Sequence, residues 1–88
     1  MRIEGTIVKA GEVRGISSVS LSDDRRLPFS SRLDQALLQL CKDLAIPLPI
    51  WLKKNSREFA PYHQTVFPAE QFAEKVRFDY FYLRLIDD

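Results

Sequence analysis

The chain has 88 residues, of which 45% are hydrophobic, and a formal net charge of +1. This length predicts a single domain over residues 1–88 with one modest core, and the near-neutral charge argues against a dedicated polyanion binder, which would carry a clear basic excess. With one cysteine, Cys41, and no apolar stretch of about 18 residues, disulfides and membrane spans are not expected, so we predict a cytoplasmic protein.

Two strands joined by a short connection are predicted at the start of the chain. Residues 3–9 and 13–21 are rich in β-branched side chains, and the connection between them contains Gly11. The pattern predicts a β-hairpin. Hairpin geometry also explains all three glycines of the sequence, which form no phosphate-binding motif.

The register of this hairpin is predicted by the length of its connection. A three-residue loop places Ile3 opposite Val19. Ile16 has the opposite parity to Val19, so the two apolar residues would point to opposite faces of the sheet. We expect a bulge near Ser17 to bring them onto one face.

A polar loop and then an amphipathic helix are predicted after the hairpin. Residues 22–30 are polar and include the charged cluster 23–26, whose acids are expected to pair with its arginines. Ser31, followed three residues later by Asp34, resembles a capping box with a short acid. An apolar stripe follows at helical spacing: Leu33, Leu37, Leu40, Cys41 and Leu44. Pro47 ends the helix.

Shorter helices and strands are predicted in the second half of the chain. Residues 50–60 indicate a short helix, 62–67 a strand, 68–75 one or two helical turns, and 78–86 a final strand. The complete order, β-β-α-(α)-β-(α)-β, predicts an α+β domain. We expect a small four-stranded, largely antiparallel sheet with the main helix packed on one face.

The final strand is apolar on both faces. Phe81, Leu83 and Leu85 share one face, and Tyr80 and Tyr82 lie on the other. We therefore expect it to lie at the centre of the fold, with the main helix on the phenylalanine face. The tyrosine face is either covered by the segment around Trp51 or left as an amphipathic contact surface.

Three stretches of the second half resemble a family of short uncharacterised bacterial proteins. They are WLKKNSREFA from Trp51, QTVFPAEQF from Gln64 and EKVRFDYF from Glu74, and together they make up about a third of the chain. The resemblance implies a bacterial cytosolic setting. It implies no activity, ligand or site residue.

The sequence contains no motif for catalysis, a metal or a cofactor. His63 is the single histidine, and its one candidate partner as a nucleophile, Cys41, lies on the apolar stripe where a thiol is normally buried and inert. One histidine and one cysteine do not suffice for a zinc site. An enzyme centred on His63, with an acid such as Glu74 or Asp79, is therefore the third of three functional hypotheses.

Two groups of side chains are candidates for binding another molecule. The candidate interaction surface comprises Trp51, Lys53, Lys54, Arg57, Tyr62, His63, Tyr80 and Tyr82. Because tyrosine, tryptophan and arginine dominate protein contacts, the leading hypothesis is a non-enzymatic module that binds another protein or a second copy of itself. The alternative is weak binding of single-stranded nucleic acid, with the cations on phosphates and Trp51 stacked on a base.

Overall fold

One open sheet of four antiparallel strands forms the centre of the protein. The computed structural model describes residues 1–87. The strands are β1 (Arg2–Lys9), β2 (Glu12–Ser20), β3 (Gln64–Pro68) and β4 (Tyr80–Ile86), in the spatial order β2-β1-β4-β3. Two helices, α1 (Phe29–Leu44) and α2 (Lys53–Tyr62), and a 3-10 turn at Ala69–Gln71 complete the fold. The predicted α+β class and element order are confirmed, and β4 occupies an interior position.

The hairpin has the predicted register but a tighter turn. Ile3 lies opposite Val19, as the sequence indicated. The connection has two residues rather than three, and both have a positive φ, 51° at Ala10 and 76° at Gly11. Positive φ at both central positions is what a type I′ turn requires, and this turn matches the right-handed twist of the strands.

The bulge of this hairpin lies nearer the turn than expected. The register shifts beside Arg14, which has no partner residue in β1. The prediction of a bulge near Ser17 is therefore wrong. Ile16 needs no bulge because it remains opposite Thr6 and points away from the face that carries Val19, so β2 has apolar side chains on both faces.

The hydrophobic core lies on one side of the sheet, beneath the helices. The sheet contributes Ile3, Ile7, Phe67, Phe81 and Leu83, and α1 contributes Leu33, Ala36, Leu37, Leu40 and Cys41. The predicted stripe of α1 is thus confirmed, with Leu44 partly buried at its end. Phe59 of α2 is buried in the same core, so both helices cover the same face.

Gly5 is explained by packing rather than by hairpin geometry. It lies in the middle of β1, and a Cβ atom there would lie 2.7 Å from Cε1 of Phe81. The missing side chain leaves the space that the ring of Phe81 occupies, so Gly5 allows Phe81 to be fully buried.

The main helix begins before the predicted cap. Helix α1 starts at Phe29, after Pro28, and no side chain caps its first turn. The capping box at Ser31 and Asp34 is therefore wrong. Pro28 explains the early start, since its carbonyl accepts hydrogen bonds from the backbone N–H groups of Ser31 and Arg32, at 3.1 and 3.2 Å.

Candidate interaction surface

The face of the sheet opposite the helices carries apolar side chains that no helix covers. One row crosses all four strands as Ile16, Thr6, Tyr82 and Val66, and the next row contains Val13, Val8, Tyr80 and Pro68. We call these eight residues the open face. Ile16 and Val13 are 60% and 63% exposed, and Tyr80 and Tyr82 are 44% and 45% exposed. Within residues 1–87 the tyrosine face is therefore left partly exposed.

Polar side chains border the open face on one side. The row after Tyr82 consists of Ser18, Glu4, Arg84 and Gln64. Within the open face the rings of Tyr80 and Tyr82 contact each other, with centroids 6.1 Å apart. An apolar centre with tyrosines and a polar margin is the composition of protein interfaces.

Trp51 belongs to the core side of the sheet rather than to the tyrosine face. Its half-buried ring lies 5.9 Å from Phe59 and 5.6 Å from Phe67 between centroids, and its indole N–H donates to Ser56 Oγ at 2.8 Å. The sequence-based alternative in which the Trp51 segment covers Tyr80 and Tyr82 is therefore wrong. The reason is that Trp51 packs on Phe67, whose parity in β3 directs it toward the helices.

The predicted cations form a separate patch on α2. Lys53, Lys54 and Arg57 are exposed, and none of them forms an ion pair within residues 1–87. Tyr62 ends the same helix and is 72% exposed, and His63 follows with a positive φ of 56°. The structure thus separates the eight candidate residues. Trp51 packs on the core, and His63 is exposed at the end of α2. The other six form the cationic patch and a tyrosine surface: Lys53, Lys54 and Arg57 in the first, and Tyr62, Tyr80 and Tyr82 in the second.

A pocket brings Tyr62 next to the open face. It has a volume of about 420 Å³ and is lined by Glu58, Tyr62, Gln64, Thr65, Val66 and Tyr82. Tyr62 and Tyr82 are twenty positions apart in the sequence, and they meet because β3 pairs with β4 directly after α2 ends. The pocket is continuous with the open face through Val66 and Tyr82.

A buried polar network supports this pocket, and sequence reasoning missed it. Asn55 is fully buried, and its Nδ2 donates to Thr65 Oγ1 at 2.8 Å. Its Oδ1 accepts hydrogen bonds from the backbone N–H of Leu52 at 2.8 Å and from Gln71 Nε2 at 2.7 Å. Thr65 in turn donates to Glu58 Oε1 at 2.6 Å. The signal in the sequence is the spacing of Asn55, one helical turn before Phe59 on the inward face.

The charged loop after β2 has part of the predicted pairing, since Asp24 pairs with Arg26 while Asp23 and Arg25 form no ion pair within residues 1–87. The carboxylate of Asp24 accepts hydrogen bonds from the backbone N–H of Arg26 at 3.1 Å and from its Nε at 2.9 Å. The guanidinium of Arg26 lowers the pKa of Asp24. The carboxylate of Asp24 and the guanidinium of Arg26 therefore bind each other within a local turn.

The groups considered for catalysis do not converge. Burial raises the pKa of Cys41 to about 11, which keeps the thiol neutral at pH 7. The carbonyl of His63 accepts from the backbone N–H of Leu85, whereas Asp79 Oδ2 accepts from that of Ala10 at 2.8 Å. Asp79 directly precedes β4, and Leu85, which binds His63, lies six residues further along the chain, so Asp79 and His63 are held roughly 20 Å apart.

Metal binding and membrane insertion receive no support from the described part of the chain. Within residues 1–87 no three side chains of the types that bind metals lie together. In the same range, neither helix combines the length and the apolar character needed to cross a membrane.

Comparison with known proteins gives no relative. No family model, curated protein or solved structure matches the chain. The resemblance of its second half to short bacterial proteins stays a prediction, and its function has to be argued from the surface described above.

Proposed function

We propose that this protein is a small protein-binding module whose contact surface is the open face of its sheet. The observation that carries the proposal is the exposure of Ile16, Tyr80 and Tyr82 on a face without intramolecular cover. A sheet face that is meant for water normally carries polar side chains, because strand residues alternate between core and solvent. Here apolar side chains occupy both faces of the same strands.

A protein fits the open face better than a nucleic acid does. Its border carries Glu4 beside Arg84 and no cluster of cations. Binding to nucleic acid derives most of its free energy from contacts between cations and phosphates, which this border does not provide. Tyrosine rings with exposed edges instead supply rigid contact area and hydroxyl groups at low entropic cost.

Site-specific photocrosslinking in living cells tests the proposal. A benzoylphenylalanine introduced at Ile16 or Tyr82 is expected to form covalent adducts with a protein. The matched control is Lys42, which is exposed on α1. Equal adducts from Lys42, or no protein adduct from either open-face position, would contradict the proposal.

The partner is either a second copy or a different protein. Sedimentation of the purified chain distinguishes the two cases, since self-association gives a dimer whose fraction rises with protein concentration. The photocrosslinked species would then have twice the mass of the chain. Two sheets packed face to face about 10 Å apart are a stable arrangement, so the open face is suited to a symmetric dimer as well as to a different partner.

A second candidate function is weak binding of single-stranded nucleic acid by the α2 patch. The observation in its favour is the exposure of Lys53, Lys54 and Arg57 without ion pairs. Against it, the ring of Trp51 is already packed on Phe59 and Phe67. Fluorescence of Trp51 during an oligonucleotide titration at low salt tests this candidate, and an unchanged signal would eliminate stacking.

A further inference from the structure

The pocket beside Tyr82 contains a carboxylate that is only partly satisfied. Glu58 is half-buried, and its Oε1 accepts the hydrogen bond from Thr65 Oγ1 at 2.6 Å. Its Oε2 has no hydrogen-bond or ion-pair partner within residues 1–87. Because Glu58 lines the pocket, this second oxygen can accept a hydrogen bond from a group that enters it.

Two cations on the elements that line the pocket do not pair with Glu58. Lys54 precedes it by one turn of α2, and Arg84 lies on β4 opposite Gln64, which also lines the pocket. Neither forms an ion pair with Glu58. The free oxygen is therefore available to a cation from outside the chain.

Two tyrosine rings add to the attraction for a cation. Tyr62 and Tyr82 line the same pocket as Glu58. The face of an aromatic ring carries negative electrostatic potential and attracts cations within about 6 Å of its centroid. A guanidinium suits such a site better than an ammonium, since it is planar, weakly hydrated, and able to stack on a ring while it donates hydrogen bonds to a carboxylate.

We propose that this pocket binds an arginine side chain of a partner protein that differs from this chain, with the guanidinium against the tyrosine rings and one N–H donated to Glu58 Oε2. The inference rests on the proposed function, because the pocket continues the open face through Tyr82. Apolar side chains of the partner contact the rows of the open face, and the arginine at one end fixes the orientation of the complex. The charge complementarity selects a basic partner segment.

The support around Glu58 holds the acceptor in place before the partner arrives. Asn55 fixes Thr65, and Thr65 fixes one oxygen of Glu58. A preorganised carboxylate loses little conformational entropy on binding, which favours a specific contact over a loose ion pair.

A titration followed by NMR tests the proposal on the intact, ¹⁵N-labelled chain. The two probes are the peptide acetyl-TVRVT-amide and the same peptide with citrulline in place of arginine, which keeps the shape and removes the charge. The arginine peptide is expected to shift the amide signals of Glu58, Tyr62, Val66 and Tyr82, and to bind about five- to tenfold more tightly than the citrulline peptide.

Variants at Glu58 and Tyr62, with one control at Glu74, identify the residues responsible. Glu58→Gln keeps an oxygen to accept from Thr65, and it should abolish the preference for arginine while the urea midpoint stays unchanged. The matched control Glu74→Gln removes one charge at an exposed position outside the pocket and should keep the preference. Tyr62→Ala should weaken binding of the arginine peptide, whereas Tyr62→Phe should retain it.

The possible outcomes separate this inference from the proposed function. Equal binding of both peptides at the open face would overturn the arginine pocket and leave the protein-binding surface standing. Binding by neither peptide would also overturn the pocket, and the crosslinks from Ile16 would then decide the function independently. Signals at the pocket that shift with protein concentration alone would identify a second copy as the occupant and overturn the inference.

Discussion

The two faces of the sheet differ in what their apolar side chains do. Adjacent residues of β4 show the contrast, since Phe81 is 0% exposed beneath the helices and Tyr82 is 45% exposed on the open face. Both are large aromatic residues in the same strand. The covered face therefore provides the stability of the fold, and the open face carries the contact surface that we propose for a partner protein.

Removal of the Phe81 ring should give the largest loss of stability. Phe81→Ala leaves a cavity between Phe67 and Phe72, whose rings it contacts, and should lower the free energy of unfolding by about 3–5 kcal/mol. Urea denaturation measures the change. The control is Tyr82→Ala in the same strand, with an expected loss of no more than about 1 kcal/mol. Equal losses in the two variants would contradict the contrast between the faces.

The buried polar network should give the next largest effect. Asn55→Ala removes the acceptor for Leu52 and Gln71 and the donor for Thr65, which leaves buried polar groups unpaired. We expect a loss of about 2–3 kcal/mol in the same assay. Lys54→Ala, at the neighbouring exposed position, should stay within about 0.5 kcal/mol of the wild type. A similarly small change for Asn55→Ala would show that the network does not stabilise the covered side.

Two glycines test how closely the covered face is packed. Gly5→Ala places a Cβ 2.7 Å from the Phe81 ring and should cost about 1–2 kcal/mol, because the ring is held by neighbours and cannot move freely. Gly15→Ala meets its nearest atom, Cδ2 of Leu44, at 3.4 Å and should cost less. Thermal unfolding of the two variants compares them directly, and a larger cost at Gly15 would contradict the packing described here.

Local patterns were sufficient to predict the fold but not the pocket. The parity of Phe81 and Leu83, the stripe of α1 and the register of Ile3 with Val19 each depend on a few neighbouring residues, so they were predicted correctly. The contact surface at Tyr62 and Tyr82 depends on which strands become neighbours. The sequence did not determine that order, so it left open whether the segment around Trp51 covers the tyrosines, whereas the structure packs Trp51 on the core side of the sheet.

The other incorrect or absent predictions also have a physical explanation. Polar residues at Asn55 and Thr65 look like surface positions until the elements that bury them are known. The cap at Ser31 was expected because serine favours that position, but Pro28 allows the helix to start earlier. Tertiary packing explains the first case, and a competing local preference, that of Pro28, explains the second.

The covered face should also make stability depend on pH above neutrality. Burial raises the pKa of Cys41 from 9.0 to about 11, so the thiol stays protonated in the folded state while it ionises in the unfolded chain. The unfolded state then binds fewer protons, and the free energy of unfolding should fall as the pH rises from about 9 to about 11. Urea titrations at pH 8, 9 and 10 measure this slope. The variant Cys41→Ala should have a shallower slope, and identical slopes would argue against a buried thiol.

The most direct test of the account separates stability from binding on the open face. The double variant Ile16→Thr with Tyr82→Thr should change the free energy of unfolding by no more than about 1 kcal/mol, since both side chains are largely exposed. A chain with benzoylphenylalanine at Val13 and no other change should form a protein adduct. The double variant with the same photocrosslinker at Val13 should not form that adduct. A strongly destabilised variant, or one that keeps the adduct in full, would contradict the claim that this face exists to bind a partner.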